Sequence, residues 1–211
     1  MEVDLGVIIS AICTMITTII GGWFVYNQKT KDKLTDLKIE RFKSEEKARG
    51  YKRSENTGKV LGELYRVLLE TGADRVYIVQ PHPLGHIAFL SIQFEVKSKG
   101  VEGMRMMVQK LEMSEVPLFA KQLTENIFMY FENIDEEVDD RVAKSLLSSN
   151  GTQAVAIKRL NSTRDWVGSI FCEFMDTPTC SRYEIQKVLH EAAVNIQYNL
   201  PEYQDNEFDV F

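Results

Sequence analysis

The sequence has few of the residues on which metal and catalytic sites depend. Its 211 residues include only three cysteines and three histidines. Cys172 and Cys180 are spaced like no zinc motif, and no Cys, Asp or Glu near His82 and His86 completes a ligand set. A glycine-rich phosphate loop and a nucleophile motif are both absent. We therefore expect no enzyme activity, no metal and no cofactor.

Charge is absent from one long segment, Leu5 to Tyr26. A helix of about 20 apolar residues crosses a bilayer, so the segment predicts a single transmembrane helix over residues 5–26. The alternatives are a buried core helix and a cleaved signal peptide. The second is disfavoured because no Lys or Arg precedes the segment. Trp23 and Tyr26 lie where interfacial aromatic residues are common.

The basic residues predict the orientation of this span. None precedes it, whereas Lys29, Lys31 and Lys33 follow at once. Because Lys and Arg stay on the cytoplasmic side, we expect residues 1–4 to form a short exterior tail. The rest of the chain is then cytoplasmic, at the inner membrane of a bacterial host.

Small and hydroxyl side chains recur at every fourth position of the predicted span. Such a ridge lets two membrane helices approach closely and predicts self-association into a homo-oligomer. Alternatively, the hydroxyl groups return hydrogen bonds to carbonyls of their own helix. The ridge consists of Gly6, Ser10, Thr14, Thr18 and Gly22.

Net charge divides the chain into three parts. Residues 1–28 carry −2, residues 29–53 carry +5 and residues 54–211 carry −9, which sums to the −6 of the whole chain. A basic juxtamembrane helix over residues 27–56, near the anionic lipids of the inner leaflet, accounts for the positive part. The acidic remainder argues against nucleic-acid binding.

Residues 57–200 form one predicted domain of class α+β. A helix ends at Thr71-Gly72, and a last helix begins at the capping box of Ser181 and Glu184. The acidic run between Glu132 and Asp140 reads as a solvated helix face. Strands are expected over residues 75–80, 87–96, 154–160 and 166–175, with a hairpin at 161–165, and helices over 104–113 and 117–124.

Two stretches resemble a known family. TGADRVYIVQPHP, Thr71 to Pro83, resembles the first strand of a GAF domain, and Leu146 to Phe174 resembles the closing GAF hairpin. More narrowly, the chain resembles small membrane-anchored GAF-like proteins of phages and prophages. The resemblance implies a GAF/PAS-like antiparallel sheet with the terminal helices on one face. It also implies a dimeric module that receives a small ligand or a signal.

The same resemblance implies a pocket on the other face of the sheet, beneath the crossing segment. Some GAF domains bind cyclic nucleotides and some carry tetrapyrroles, but the motifs for either are missing here. Strand alternation and the cover suggest a candidate pocket lining, for which ordinary core packing is the alternative. The candidates are Ser91, Gln93, Met107, Phe119, Ser169 and Phe171.

The end of the chain, residues 201–211, is acidic and aromatic. We expect a flexible tail. Its residues Phe208 and Phe211, together with the terminal carboxylate, suit capture by a basic, apolar pocket on a partner. A tail without function is the alternative.

Two functions compete. One is a single-pass, membrane-anchored sensory or scaffolding module that binds a small ligand or a protein and self-associates. The other is a phage holin, which oligomerises in the cytoplasmic membrane and places its globular part outside. The ridge of small residues suits the holin, whereas the basic segment opposes it. Topology therefore discriminates between the two.

Overall fold

A computed structural model describes residues 5–83, 88–162 and 165–201. Within these ranges, the side chains of residues 5–14, 16–22, 24–37 and 162 lie outside the described part. The chain divides into two compact units, Met1–Lys52 and Arg53–Phe211. The second unit contains the sheet and the remaining helices.

Five helices and six strands make up the described chain. The helices are α1 (Leu5–Thr71), α2 (Pro117–Glu125), α3 (Ile134–Glu137), α4 (Arg141–Ser149) and α5 (Arg182–Gln197). The strands are β1 (Arg75–His82), β2 (Phe89–Lys97), β3 (Leu111–Glu112), β4 (Phe128–Phe131), β5 (Ala154–Ser162) and β6 (Asp165–Phe174).

All six strands form one antiparallel sheet in the order β3-β2-β1-β6-β5-β4. One face packs against α5 and the C-terminal part of α1, through Leu64 and Leu189 among others. The opposite face packs beneath α2, α3 and α4. The predicted α+β class is confirmed, as is the placement of both terminal helices on one face.

The boundaries of two predicted helices are confirmed. The helix α1 ends at Thr71, and Gly72 follows with φ +66°, a conformation that glycine adopts at no steric cost. At the start of α5, the Ser181 hydroxyl accepts a hydrogen bond from the Glu184 amide, and the Glu184 carboxylate accepts one from the Ser181 amide. Both are local signals that a sequence displays directly.

The helix predicted over residues 104–113 is wrong. This stretch contains a single turn, in which the Val108 amide donates to the Met104 carbonyl, and it then continues into β3. It runs beside the edge of β2, where the Ile92 amide donates to the Val108 carbonyl. Pairing with an open sheet edge thus replaces the internal bonds of a helix. The short strand β4 was not predicted either.

The acidic run does not form one solvated helix. It contains the single-turn helix α3 and then a break, after which α4 begins. Asp140 ends the run and is buried. It is the N-cap of α4, because its carboxylate accepts the amides of Val142 and Ala143.

Within the described part of the chain, no helix is both long enough and apolar enough to span a bilayer. The side chains of the uncharged segment lie outside that part, apart from Met15 and Trp23. The candidate ridge of Gly6, Ser10, Thr14, Thr18 and Gly22 falls there too, and the tail residues Phe208 and Phe211 lie outside the described residues.

Candidate functional site

A cavity of about 40 Å³ lies between the sheet and the elements that cover it. On the scale where one buried water needs roughly 10–15 Å³, this is room for about three waters. The sheet side is lined by Tyr77, Val79, Leu90, Leu111 and Phe171. The cover contributes Met104, Val108, Val116, Phe119, Leu123, Ala143, Leu146 and Leu147.

Three aromatic rings line the cavity, two from the sheet and one from the cover. Tyr77 on β1 and Phe171 on β6 are register partners, and their rings stack with centroids 5.0 Å apart. Phe119 on α2 meets Phe171 at a tilt of 54° with centroids 6.2 Å apart. Both are favourable aromatic geometries, so the rings form a pre-organised apolar wall.

The Tyr77 hydroxyl points away from this wall into a buried polar network. It donates a hydrogen bond to the Glu173 carboxylate, which also pairs with the Arg75 guanidinium. The Thr152 hydroxyl donates to the same carboxylate at 3.0 Å. The charged side chains are 0 % and 1 % exposed, so each compensates the charge of the other in the interior.

Burial shifts the pKa of two groups in this network, the Glu173 carboxyl and the Tyr77 hydroxyl. It raises the pKa of the Glu173 carboxyl, while the Arg75 guanidinium and the hydrogen bonds partly offset that rise. Burial, together with the neighbouring Glu173 charge, raises the pKa of the Tyr77 hydroxyl well above its ordinary value. Tyr77 therefore stays protonated and keeps donating to Glu173 across the physiological range.

We call residues 102–110 the strap, because they cross the cavity and carry Met104 and Val108 into its lining. The strap is tied at its start by two side chains. The Arg75 guanidinium donates to the Glu102 carbonyl at 2.5 Å, and the Glu95 carboxylate accepts the amides of Met104 and Arg105 at 2.5 and 3.2 Å.

The other end of the strap is tied to β2. The Gln109 side chain donates to the Ile92 carbonyl, and the Lys110 amide donates to the Ser91 hydroxyl, both at 2.8 Å. Between the two ends, Met106 is 87 % exposed. The strap is therefore held by polar bonds at its ends and by the buried side chains of Met104 and Val108.

Asp140 joins two helices of the cover, α2 and α4. One of its oxygens caps α4, and the other accepts the Phe119 amide of α2 at 3.4 Å. Phe119 and Ala143, which lie on either side of this carboxylate in the two helices, both line the cavity. The polar contact thus fixes the spacing of the helices above the cavity.

The six candidate lining residues are distributed unevenly. Phe119 and Phe171 line the cavity. Ser169 is buried on the cavity side and accepts a hydrogen bond from the Trp166 indole. Met107 is 48 % exposed on the strap. Gln93 occupies a bulge, because Ile78 pairs with Phe94 whereas Val79 pairs with Ile92.

That bulge explains the position of Ser91. Strand alternation reverses across a bulge, so Leu90 and Ile92 face the cavity while Phe94 and Val96 face the terminal helices. Ser91 pairs with Gln80 on the face away from the cavity and contacts the His82 ring at 2.8 Å. Simple alternation predicts that Ser91 lies on the cavity face with Phe171, whereas the bulge places it on the opposite face of the sheet.

Sequence reasoning missed Arg75, Tyr77, Glu95 and Glu173 as parts of this site. Two of them carried a signal. Arg75 precedes the apolar run from Val76 to Val79 in one strand, and Glu173 lies between Cys172 and Phe174 in another. A charge inside a buried strand requires a buried partner, so opposite charges in two such strands indicate an ion pair.

Comparisons with solved structures identify the fold. The third GAF domain of Slr1393 from Synechocystis sp. PCC6803 has a TM-score of 0.56 at 10% identity, with 67% of this chain and 90% of that chain covered. The PixJ GAF domain of Thermosynechococcus elongatus has 0.54 at 11%, covering 70% and 88%. A GAF domain/HD domain protein from Geobacter sulfurreducens has 0.52 at 12%, covering 70% and 95%.

The chain therefore has a GAF-like fold, as the resemblance of its first and last strands predicted. Identities this low establish the fold alone. No protein-family model matches the chain, and no curated protein does.

The cavity does not suit the two larger ligands that some GAF domains bind, tetrapyrroles and cyclic nucleotides. A tetrapyrrole far exceeds 40 Å³, and a cyclic nucleotide needs polar partners that the lining does not offer. Among the described residues, no group of three His, Cys, Asp or Glu side chains is placed to hold a metal ion.

Proposed function

We propose that this chain is a sensory module in which the apolar cavity receives a small ligand and the strap controls access to it. The observation that carries the proposal is the cavity itself, enclosed by aromatic rings from the sheet and the cover and by the end-tied strap. A strap that runs beside the edge of β2 opens at lower cost than a strand in the middle of the sheet.

Hydrogen exchange on the full chain tests the access route. The Ile92 amide donates to the strap, and the Lys110 amide belongs to the strap and donates to Ser91. We expect them to exchange through local opening, faster than the central amides of β1 and β6 and with weaker dependence on denaturant. Exchange of all these amides only at the rate of global unfolding would mean that the strap does not open on its own and would contradict the proposal.

The second part of the proposal concerns the N-terminal segment, which we infer to anchor the module in a bilayer. Its support is the run of uncharged residues from Leu5 to Tyr26, followed by the basic residues 29–53.

Reporters fused after Phe211, active either in the cytoplasm or in the periplasm, test the anchor and its orientation. A cytoplasmic signal from the membrane fraction is expected. A signal from the soluble fraction would remove the anchor from the account. A periplasmic signal would overturn the orientation and favour the holin alternative.

A further inference from the structure

The lining of the cavity is apolar in nearly every residue. Tyr77 is the one lining residue with a polar side-chain group in the described part of the chain, and its hydroxyl is already donated to Glu173. A ligand group that forms hydrogen bonds would lose its bonds to water and find no partner among these side chains. Such a loss disfavours polar ligands strongly.

A charged ligand is disfavoured for a related reason. The carboxylates of Glu95 and Asp140 already accept backbone amides of the cover. The charges of Arg75 and Glu173 lie behind Tyr77 and neutralise one another. Neither is available to a ligand without breaking a fully buried ion pair, and a lone charge in an apolar cavity is costly.

The size of the cavity can adapt at one position. Met104 lines it, is 1 % exposed and belongs to the strap rather than to the sheet. Its unbranched side chain has several rotatable bonds and a polarisable sulfur, which suits contact with an aromatic ring. Displacing this side chain enlarges the cavity without disturbing the stacked pair of Tyr77 and Phe171.

We propose that the cavity binds a small, uncharged, apolar molecule, about the size of three waters as the cavity stands and up to a single ring where Met104 is displaced. The proposal rests on the proposed function, since it names the class of ligand for that same cavity. Selectivity comes from exclusion: the lining rewards burial of apolar surface and offers no compensation for polar or charged groups.

Thermal unfolding of the full chain with xenon, benzene and benzoate tests this class of ligand. Xenon is the smaller probe, benzene requires Met104 to move, and benzoate adds a charge to the same ring. At a concentration tenfold above its dissociation constant, a bound probe should raise Tm by about 3–5 °C. Benzoate should produce no such rise.

A pair of adjacent residues in α4 supplies matched variants. Ala143 lines the cavity and is 4 % exposed, whereas its neighbour Val142 is 37 % exposed. Ala143→Leu should fill the cavity and abolish the rise in Tm, and Val142→Leu should retain it. Partition of benzene into lipid or detergent affects both variants alike. If Ala143→Leu does not fold, the smaller Ala143→Val serves in its place.

A rise in Tm with xenon or benzene that survives in Val142→Leu and disappears in the filled variant supports the proposal. No rise with either probe, or an equal rise with benzoate, overturns it. If the strap amides still exchange by local opening in that case, the ligand class alone is wrong. If they exchange only with global unfolding, the proposed function falls as well.

Discussion

At the scale of single residues, the buried ion pair of Arg75 and Glu173 has the greatest consequence for stability. It bridges β1 and β6, and Arg75 also holds the Glu102 carbonyl at the start of the strap. Removing one partner leaves an uncompensated charge in the interior. We expect Glu173→Gln to lower the free energy of unfolding by about 3–5 kcal/mol, as measured by urea denaturation.

Glu125→Gln is the matched control for this substitution. Glu125 lies 4.0 Å from Lys121, and both side chains are more than 60 % exposed. An exposed pair of this kind contributes about 0.5 kcal/mol or less. Similar losses from Glu173→Gln and Glu125→Gln would show that the buried pair does not hold the strands together.

Cys172 is the second residue with a distinctive prediction. Burial raises the pKa of its thiol to about 12, so at pH 8 about one molecule in ten thousand carries the reactive thiolate. In a Cys13→Ser background, a thiol reagent at pH 8 should label Cys180 in the folded protein and Cys172 only after addition of urea. Cys180 is partly exposed and provides the internal control.

The same pKa shift links Cys172 to stability at high pH. The unfolded thiol loses its proton near pH 9, whereas the folded thiol keeps it until about 12. Cys172 therefore lowers the free energy of unfolding as pH rises through this interval, by up to about 1.4 kcal/mol per pH unit. In the labelling experiment at pH 8, modification of Cys172 in the folded protein as fast as that of Cys180 would contradict the buried position of the Cys172 thiol.

At the scale of elements, the strap depends on Glu95. Its carboxylate accepts the Met104 and Arg105 amides, and hydrogen bonds to a charged group are worth about 1.5–3 kcal/mol. We expect Glu95→Ala to speed the exchange of strap amides at least tenfold, with the β1 and β6 amides nearly unchanged. The exposed Glu115 provides the control, Glu115→Ala, which should leave the strap as it is.

The contact between β1 and β6 depends on a glycine. A Cβ at Gly168 would lie 2.9 Å from the Val79 carbonyl oxygen and 3.4 Å from a methyl carbon of Ile78. Because the backbone atom cannot yield, Gly168→Ala should push the strands apart and lower the free energy of unfolding by about 1–3 kcal/mol in urea.

Gly62 in α1 offers the opposite case. Nothing lies within 4 Å of its ideal Cβ, so Gly62→Ala should raise the free energy of unfolding by about 0.5–1 kcal/mol through helix propensity. The two alanine substitutions should thus differ in sign. A neutral Gly168→Ala would mean that the strands are not as close as described.

At the scale of the whole molecule, the sequence predicted what local patterns specify. The four long strands carry runs rich in β-branched and apolar residues, α2 has a leading proline and α5 has a capping box. All six elements formed as expected. The strap and β4 have no such pattern. Both segments form hydrogen bonds with an outer strand of the sheet. Which strands lie at the edge depends on the assembled sheet, so a local pattern does not predict these segments.

The candidate site shows the same division. Phe119 and Phe171 were placed through their elements, whereas Ser91 was not, because the bulge at Gln93 reverses the faces of β2. A bulge depends on pairing between strands and leaves no mark in a single strand's alternation. Likewise, the ring of Tyr77 lines the cavity while its hydroxyl donates to Glu173. Only the packing of the folded chain reveals these two separate contacts.

The most direct test of the account is the methyl spectrum of the methionines in the full chain during a titration with xenon or benzene. Met104 lines the cavity, and Met106, two residues along the strap, faces solvent. The account predicts a saturable shift of the Met104 methyl signal, assigned through Met104→Leu, while the Met106 signal stays in place. An unchanged Met104 signal, or equal and unsaturated shifts of both, would contradict a ligand site in this cavity.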